Sequence, residues 1–304
     1  MYYPLFSILI ANYNNGQYLQ EAIDSVLAQT YKNWELVIVD DKSSDDSIKI
    51  YTKYKGDKRF NIVYNSVNKG CGYTKRRCAE LAKGELCGFL DPDDKLALNA
   101  VEVMVEEHGK QSDCSLIYSK PFIWDGISAP TTTLDVVSEM SDGEDFLISS
   151  STIISHFATF KAHYYKKTKG IDSKLKSAVD FDLYAKLEEV GRILFYDAPL
   201  YYYRITNPNS ISIGNDSQKN EAYKNRIKSS LNAFCRRIRS NNRLFIANRA
   251  RYLHVMRWEM DYFYKNINRS VLLILSYFFW YWKGCGFSCQ SINHLRKILN
   301  KWKN

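Results

Sequence analysis

Residues 85–94 read ELCGFLDPDD, an apolar run that stops at three carboxylates, Asp91, Asp93 and Asp94, set within four positions. The run 85–90 has the length and composition of a buried strand. Three like charges at a strand end repel one another unless something positive sits among them. Pro92 stiffens the turn, so the flanking aspartates can be aimed together. Carboxylate oxygens at this spacing suit a hard divalent cation, Mg2+ or Mn2+, which keeps open positions for water and phosphate oxygens. The plainer alternative is a solvated loop whose aspartates cap the next helix. The surrounding sequence decides between them.

Strand and helix signals alternate on both sides. Residues 6–11 (FSILIA), 35–40 (ELVIVD), 61–65 (NIVYN) and 114–119 (CSLIYS) read as strands. Between them, residues 18–29 place Leu19, Ala22, Ile23, Val26 and Leu27 at helical spacing. Ser44 to Ser47 supply caps for a second helix to about residue 54, and residues 72–83 and 99–108 read as two more. Strands separated by helices imply βαβ units, hence an α/β fold with a mostly parallel sheet. Ligands of such sheets sit outside the carboxyl ends of the strands. Those ends are residues 12–15, 40–41, 65–70 and 91–94, and all are polar. A carboxylate at Asp40 or Asp41 can accept a uracil imide N–H or a ribose hydroxyl, whereas Asp45 or Asp46 is a helix cap. Tyr13 can stack on a base, although a lone loop tyrosine is more often packing. In this setting the acidic turn reads as a metal site that holds a diphosphate.

Beyond residue 120 the pattern is mixed. Residues 156–161 (HFATFK) alternate weakly, 180–190 (DFDLYAKLEEV) form a helix stopped by Gly191, and 193–196 and 200–204 (LYYYR) read as strands. After residue 215 the chain is helical throughout, at about 217–239, 243–265, 270–282 and 290–303. The chain of 304 residues has 45% hydrophobic and 25% charged residues, ordinary globular values. Its seven cysteines are scattered and form no CxxC pair. They are expected to be reduced thiols, and the start MYYPLFSILIANYNN lacks a basic region and a cleavage site. A cytoplasmic protein is expected.

The order SILIANYNN, IDSVLAQTYKNWELVIVDDKSSDDS and NKGCGYTKRRCAELAKGELCGFLDPDD resembles the family 2 glycosyltransferases, densely over residues 5–96. The likeness returns at HFATFK, AVDFDLYAKLEEVG and PLYYYR. It implies the GT-A fold, a nucleotide-binding sheet carrying an acidic DxD metal motif. By this resemblance Tyr13 flanks the base, Ala11 offers backbone contacts and Asp41 binds uracil. Asp93 and Asp94 are the metal and ribose carboxylates, and Asp91 opens the motif. Lys75 stands where the family commonly has Arg, and Arg76 where it has Asn; either cation would meet the diphosphate or the base. Asp180 matches the catalytic base of the family's "ED" element, with Val179 in place of the Glu and Asp182 as the nearby rival. A carboxylate in the first turn of a helix is also favoured by the helix dipole alone. His156 is expected to contact acceptor or phosphate, against a core role beside aromatics. Arg204 is expected to reach the diphosphate, against a surface ion pair.

The implied chemistry is inverting transfer of a sugar from a nucleotide-sugar, UDP-linked by the uracil contact, to a hydroxyl of a glycan or lipid-linked acceptor in surface polysaccharide synthesis. Two rivals stand beside it. One is a non-catalytic nucleotide-sugar or membrane-surface binding protein of the same fold. The other is a nucleotidyltransferase, which would need a basic glycine-rich loop where residues 11–16 read ANYNNG. A dinucleotide site is disfavoured because GxGxxG is absent. The expected division is a catalytic domain over 1–215, with a nucleotide-sugar half at 1–120 and an acceptor half at 121–215, followed by a basic helical region at 216–304.

Charge sets that last region apart. Residues 217–304 carry 18 Lys and Arg against 3 Asp and Glu, whereas residues 1–216 carry 24 against 30. No nucleic-acid motif accompanies the charge. The stretch 270–282 (SVLLILSYFFWYW) is strongly apolar but would span only about 20 Å as a helix, short of the roughly 30 Å hydrocarbon core. Flanked by Arg269 and Lys283, it suits an anionic membrane surface at the inner face of the plasma membrane. The alternatives are packing on the catalytic domain or on a second copy in a homodimer.

Overall fold

The computed structural model describes residues 3–130, 132–149, 153–208, 216–266 and 271–285. Its elements run β1 (Phe6–Asn12), α1 (Gly16–Leu27), β2 (Trp34–Asp40), α2 (Ser47–Thr52), β3 (Phe60–Tyr64), α3 (Cys71–Leu81), β4 (Leu86–Phe89), β5 (Lys95–Leu96) and α4 (Ala100–Lys110). They continue with β6 (Cys114–Trp124), β7 (Thr132–Thr133), β8 (Thr159–Lys161), α5 (Ala162–Tyr165), α6 (Val179–Val190) and β9 (Arg192–Arg204). Four helices follow, α7 (Asp216–Arg239), α8 (Arg243–Ala247), α9 (Arg249–Asn266) and α10 (Val271–Cys285).

The strands form one sheet in the order β3-β2-β1-β4-β8-β6-β9-β5, with β7 beside β6. The first four pair in parallel, as the alternating sequence predicts. The expectation of a mostly parallel sheet fails beyond β4. There β8 runs antiparallel to both β4 and β6, β5 is antiparallel to β9, and only β6 and β9 are again parallel. The reason lies in the connections. Parallel neighbours need a crossover, usually a helix. Such helices join β1 through β4, and α6 precedes β9, but no described helix lies between β6 and β8. The fold is therefore α/β with a mixed sheet.

Both faces of the central strands are covered, which explains their unbroken apolar runs. In β1 and β2, Phe6, Ile8, Ile10, Leu36 and Ile38 point to one core, shared with Leu19 and Ile23 of α1 and Met104 of α4. Leu9, Val37 and Val39 point to the other, which is continuous with α6, α7, α9 and α10. The two strands predicted at 193–196 and 200–204 are one strand, β9, whose register against β6 shifts at Lys120. The helix predicted over 243–265 is broken at Asn248 into α8 and α9. The predicted helix at 290–303 lies outside the described residues.

The basic helices pack on the sheet region. Arg237 of α7 is fully buried, with Nη1 3.2 Å from Asp145 Oδ1 and Nη2 2.8 Å from Glu188 Oε2 and 3.1 Å from the Ala185 carbonyl. It also meets the Tyr252 hydroxyl of α9. In α10, Tyr277, Phe278 and Tyr281 are buried while Phe279 is 52% exposed. Helix α10 packs against α7 and α9. Among the described residues no helix is long and apolar enough to cross a membrane, and the six described cysteines are free thiols.

Candidate active site

The parallel half of the sheet delivers its strand ends to one cleft of about 580 Å³. Ala11, Tyr13, Asp41, Lys75, Asp91, Asp93, His156 and Asp180 all line it. Two other sequence-predicted residues, Asp94 and Arg204, are buried and do not line it.

Asp40 and Asp41 part company. Asp40 is internal: its carboxylate accepts from the Tyr51 hydroxyl, Asn12 Nδ2 and the Ser43 N–H at 2.8–3.1 Å. Asp41 faces the cleft and organises the loop before α3. Its Oδ1 accepts from Asn65 Nδ2 at 2.7 Å and the Lys69 N–H at 2.8 Å, and its Oδ2 from the Gly70 N–H at 2.7 Å. Gly70 holds φ +86°, a backbone that side chains disfavour. Tyr13 stands 48% exposed at the cleft wall.

The acidic turn lines the same cleft through Asp91, Pro92 and Asp93. The Asp94 N–H donates to the Asp91 carbonyl at 3.1 Å, and Pro92 takes the second position of this turn, where its fixed φ fits. The three aspartates then take different partners. Asp91 Oδ1 lies 3.1 Å from Lys75 Nζ, and its Oδ2 lies 3.6 Å from His156 Nε2. Asp93 Oδ2 accepts from Asn207 Nδ2 at 2.6 Å. Asp94 turns beneath the cleft and accepts from the Tyr201 hydroxyl and the Arg204 N–H, both at 2.7 Å. Burial raises the pKa of Asp94 well above the ordinary carboxyl value, and Asp93 and Asp91 push it further. Asp93 is raised by burial and by Asp91. Asp91 is lowered, because Lys75 and His156 outweigh the burial that opposes its charge.

Ligand atoms of Asp91, Asp94 and His156 lie within 4.8 Å of one another. This trio differs from the expected Asp91, Asp93 and Asp94 in one member, since Asp93 is turned toward Asn207. Two carboxylates and an imidazole fit a divalent cation of the Mn2+ type, and Asp94, buried and crowded by Asp93 and Asp91, is a carboxyl whose charge such an ion would compensate. The imidazole is held in place by stacking on Tyr201 and Tyr203, with centroids 5.3 and 4.6 Å away, and by Ser155 Oγ at 2.9 Å from Nδ1.

Asp180 also lines the cleft, in the first turn of α6, with its side chain 42% exposed. Its Oδ1 lies 2.9 Å from Lys75 Nζ. Lys75 itself is buried and bridges Asp91 to Asp180. Burial opposes its charge, but the two carboxylates hold its pKa well above the ordinary value. The rival Asp182 is buried outside this cleft, where its Oδ2 accepts from Lys186 Nζ at 2.6 Å and the Asp172 N–H at 3.0 Å. Ala178, the residue before α6, holds φ +55°, a strained backbone next to the site. A smaller cavity of about 140 Å³ shares Lys75, Asp91, His156 and Asp180 and extends to Phe89, Ile154, Ala158 and Tyr184.

Two predicted cations are engaged elsewhere. Arg76 pairs with Glu80 at 2.7 Å and donates to the Ile171 carbonyl at 3.1 Å. Arg204 is buried against Trp124 and Tyr18, pairs with Glu21 and donates from Nε to the Asp93 carbonyl at 2.7 Å. It shapes the acidic turn from below. Asn207 and Tyr201 escaped the sequence reading. Both lie about a hundred residues from the turn they hold, and no local pattern links them to it.

Comparison with known proteins gives the family and the fold. Over 232 residues the chain is 31% identical to the chondroitin synthase of Escherichia coli, covering 73% of this chain and 32% of that protein. It is 28% identical to the hyaluronan synthase of Pasteurella multocida over 218 residues, 69% of this chain and 21% of that one. The chain thus spans less than a third of the length of these relatives. Among solved structures it resembles S. aureus TarS 1–349, with a TM-score of 0.65 at 16% identity over 92% of this chain and 80% of that one. It also resembles the mannosyltransferase PcManGT of Pyrobaculum calidifontis, solved with GDP-Man and Mn2+, with a TM-score of 0.56 at 14% identity over 94% and 85%. Identities this low show a shared fold. The model of glycosyl transferase family 2 matches residues 7–167, more than half of the chain, and the protein belongs to that family.

Proposed function

We propose that the chain is a metal-dependent, inverting glycosyltransferase of GT-A fold that moves a sugar from a nucleotide-sugar, UDP-linked, to a hydroxyl of a glycan or lipid-linked acceptor. One observation carries this reading: Tyr13 and Asp41, the acidic turn through Asp91 and Asp93, and Asp180 all line a single cleft. Tyr13, Ala11 and Asp41 bind the base. Asp91, Asp94 and His156 hold a divalent cation, with Asp93 on the ribose side. When bound, that cation supplies positive charge to the departing diphosphate. Asp180 takes the proton of the acceptor hydroxyl as it attacks the anomeric carbon. A single base on the face of the sugar opposite the leaving group inverts the anomeric centre, following the logic of inverting sugar chemistry. The names of the polysaccharide synthases among the relatives support an acceptor of that kind.

Residues 1–215 form the catalytic unit in this reading, divided near residue 120. The cation excess of 216–304 supports an anionic membrane surface as that region's partner. Pelleting with vesicles, with and without anionic lipid, tests this.

The decisive experiment for the enzyme uses Asp180→Asn with a panel of UDP-sugars and Mn2+. Turnover falls about 10²–10⁴-fold, the usual size of a general-base contribution, while UDP affinity by calorimetry at saturating Mn2+ stays near that of the parent. Undiminished turnover removes Asp180 from the mechanism. UDP-sugar binding without any turnover in the parent makes the chain a binding protein of this fold.

A further inference from the structure

Among the described residues, Lys75 is the lysine or arginine that touches both halves of the proposed chemistry. Its Nζ is 3.1 Å from Asp91, in the candidate metal trio, and 2.9 Å from Asp180, the proposed base. Its stem is buried, and Nζ lies 5.2 Å from the centroid of Phe89. The ammonium therefore has few other places to go. Asp91 offers its second oxygen to the side where His156 stands. A divalent cation on that side and an ammonium on the other would share one carboxylate, and like charges that close repel.

We propose that Lys75 is a shared counter-ion and a positioning residue, which competes with the divalent cation for Asp91 and yields to Asp180 when the cation arrives. Loading of the donor site is thereby coupled to the placement of the base. Before loading, the ammonium neutralises Asp91 and keeps the acidic turn from repelling itself apart. After loading, the ammonium rests on Asp180 and fixes its carboxylate in the first turn of α6. The inference rests on the metal-dependent reading above. It differs from a role of Lys75 on the diphosphate or the base, because the contacts made by Nζ are to two carboxylates.

The signs of the expected effects are unusual and opposite. Mn2+ alone is titrated calorimetrically into the full chain and its variants. Lys75→Met binds Mn2+ about fivefold or more tightly, because a competitor has gone from Asp91. Asp180→Asn binds it about fivefold more weakly, although Asp180 is not in the trio, because Lys75 then leans wholly on Asp91. The double variant behaves as Lys75→Met, since without the ammonium the two sites are uncoupled. Lys75→Arg retains an affinity near the parent's, and its kcat recovers relative to Lys75→Met with donor KM little changed. Unchanged Mn2+ affinity in Lys75→Met, with UDP affinity lost, makes Lys75 a diphosphate ligand and overturns the proposal. Should Lys75→Met fail to fold, Asp180→Asn decides alone: Mn2+ affinity equal to the parent's refutes the sharing. Absence of Mn2+ binding in the parent, checked against Asp91→Asn, overturns the metal reading together with this one. An effect of Lys75 with the wrong sign overturns only this one.

Discussion

Asp41 and Gly70 show how one side chain and one backbone angle fix the part of the cleft that the proposed function gives to the nucleotide. Asp41 receives three donors, two of them backbone N–H groups of the 65–70 loop. The Gly70 N–H reaches it from φ +86° and ψ 165°, a region essentially reserved for glycine. A Cβ at Gly70 would meet no atom within 4 Å, so the cost of adding one is conformational rather than steric. Gly70→Ala should therefore destabilise the fold by about 1–3 kcal/mol, and UDP affinity should drop as the loop leaves Asp41. Urea unfolding and UDP calorimetry check both, and an unaltered variant would mean the loop is not held as argued. The residue scale was partly legible: the residues alone put a carboxylate at the end of β2 and left Asp40 and Asp41 open, the family resemblance pointed to Asp41, and the packing shows how the two differ. Asp40 is consumed by Tyr51, Asn12 and Ser43, and the chain cannot show which side of a strand end meets the cleft until the sheet exists.

Helices hold the walls of the cleft together, and they do so through buried polar contacts as well as apolar ones. Helix α3 lies against the 172–175 loop that leads to α6, with the Gly72 N–H donating to the Leu175 carbonyl at 2.9 Å. A Cβ at Gly72 would fall 2.5 Å from that carbonyl oxygen, so this close approach requires glycine. On the far face, His108 of α4 packs onto β8 with Nε2 3.0 Å from Thr159 Oγ1. Burial, then Lys161, pushes its pKa down to about 3. The folded state keeps this ring neutral while the unfolded chain takes up a proton near pH 6.5. Its contribution to stability is therefore complete above about pH 6.5 and is lost as pH falls toward 3, by about 1.4 kcal/mol per unit. Between pH 6.5 and 5, His108→Leu should lose about 2 kcal/mol less stability than the parent. Chemical denaturation at the two pH values measures the difference, and parallel losses would show that His108 is not held neutral. Helices α1, α3, α4 and α6 were legible because their apolar spacing is local. The α8–α9 break at Asn248 was not, since both sides carry helical pattern and the break serves their packing on α7.

Across the whole molecule, the basic helices are fastened to the sheet region by a buried charge cluster. Arg237 is fully buried with Asp145 and Glu188 around it, and Tyr252 of α9 donates from its hydroxyl to Asp145. The cluster joins α7, α6, α9 and the 145–149 turn. Removing the cation strands two buried carboxylates. Arg237→Met should cost about 3–5 kcal/mol, whereas Arg236→Met, which loses a partly exposed pair with Glu189, should cost under about 1 kcal/mol. Equal losses by urea titration would refute the claim that burial sets the difference. The cation excess after residue 216 is thus of two kinds. Arg236, Arg237 and Arg251 are paired with acids of the sheet region. Lys228, Arg239, Arg257 and Lys283 are left on the surface.

Taken alone, the sequence determined the α/β alternation, the strand ends that carry polar groups and the acidic turn, because each is written in neighbouring residues with a period of two or about three and a half. Tertiary structure decided the rest. The antiparallel placement of β8, the turning of Asp94 under Tyr201 and the bridge of Lys75 between Asp91 and Asp180 join positions tens to more than a hundred residues apart. Such contacts leave no periodic trace in a chain, since hydrogen bonds and charge pairs depend on where the fold brings the atoms and not on how far apart they are in sequence.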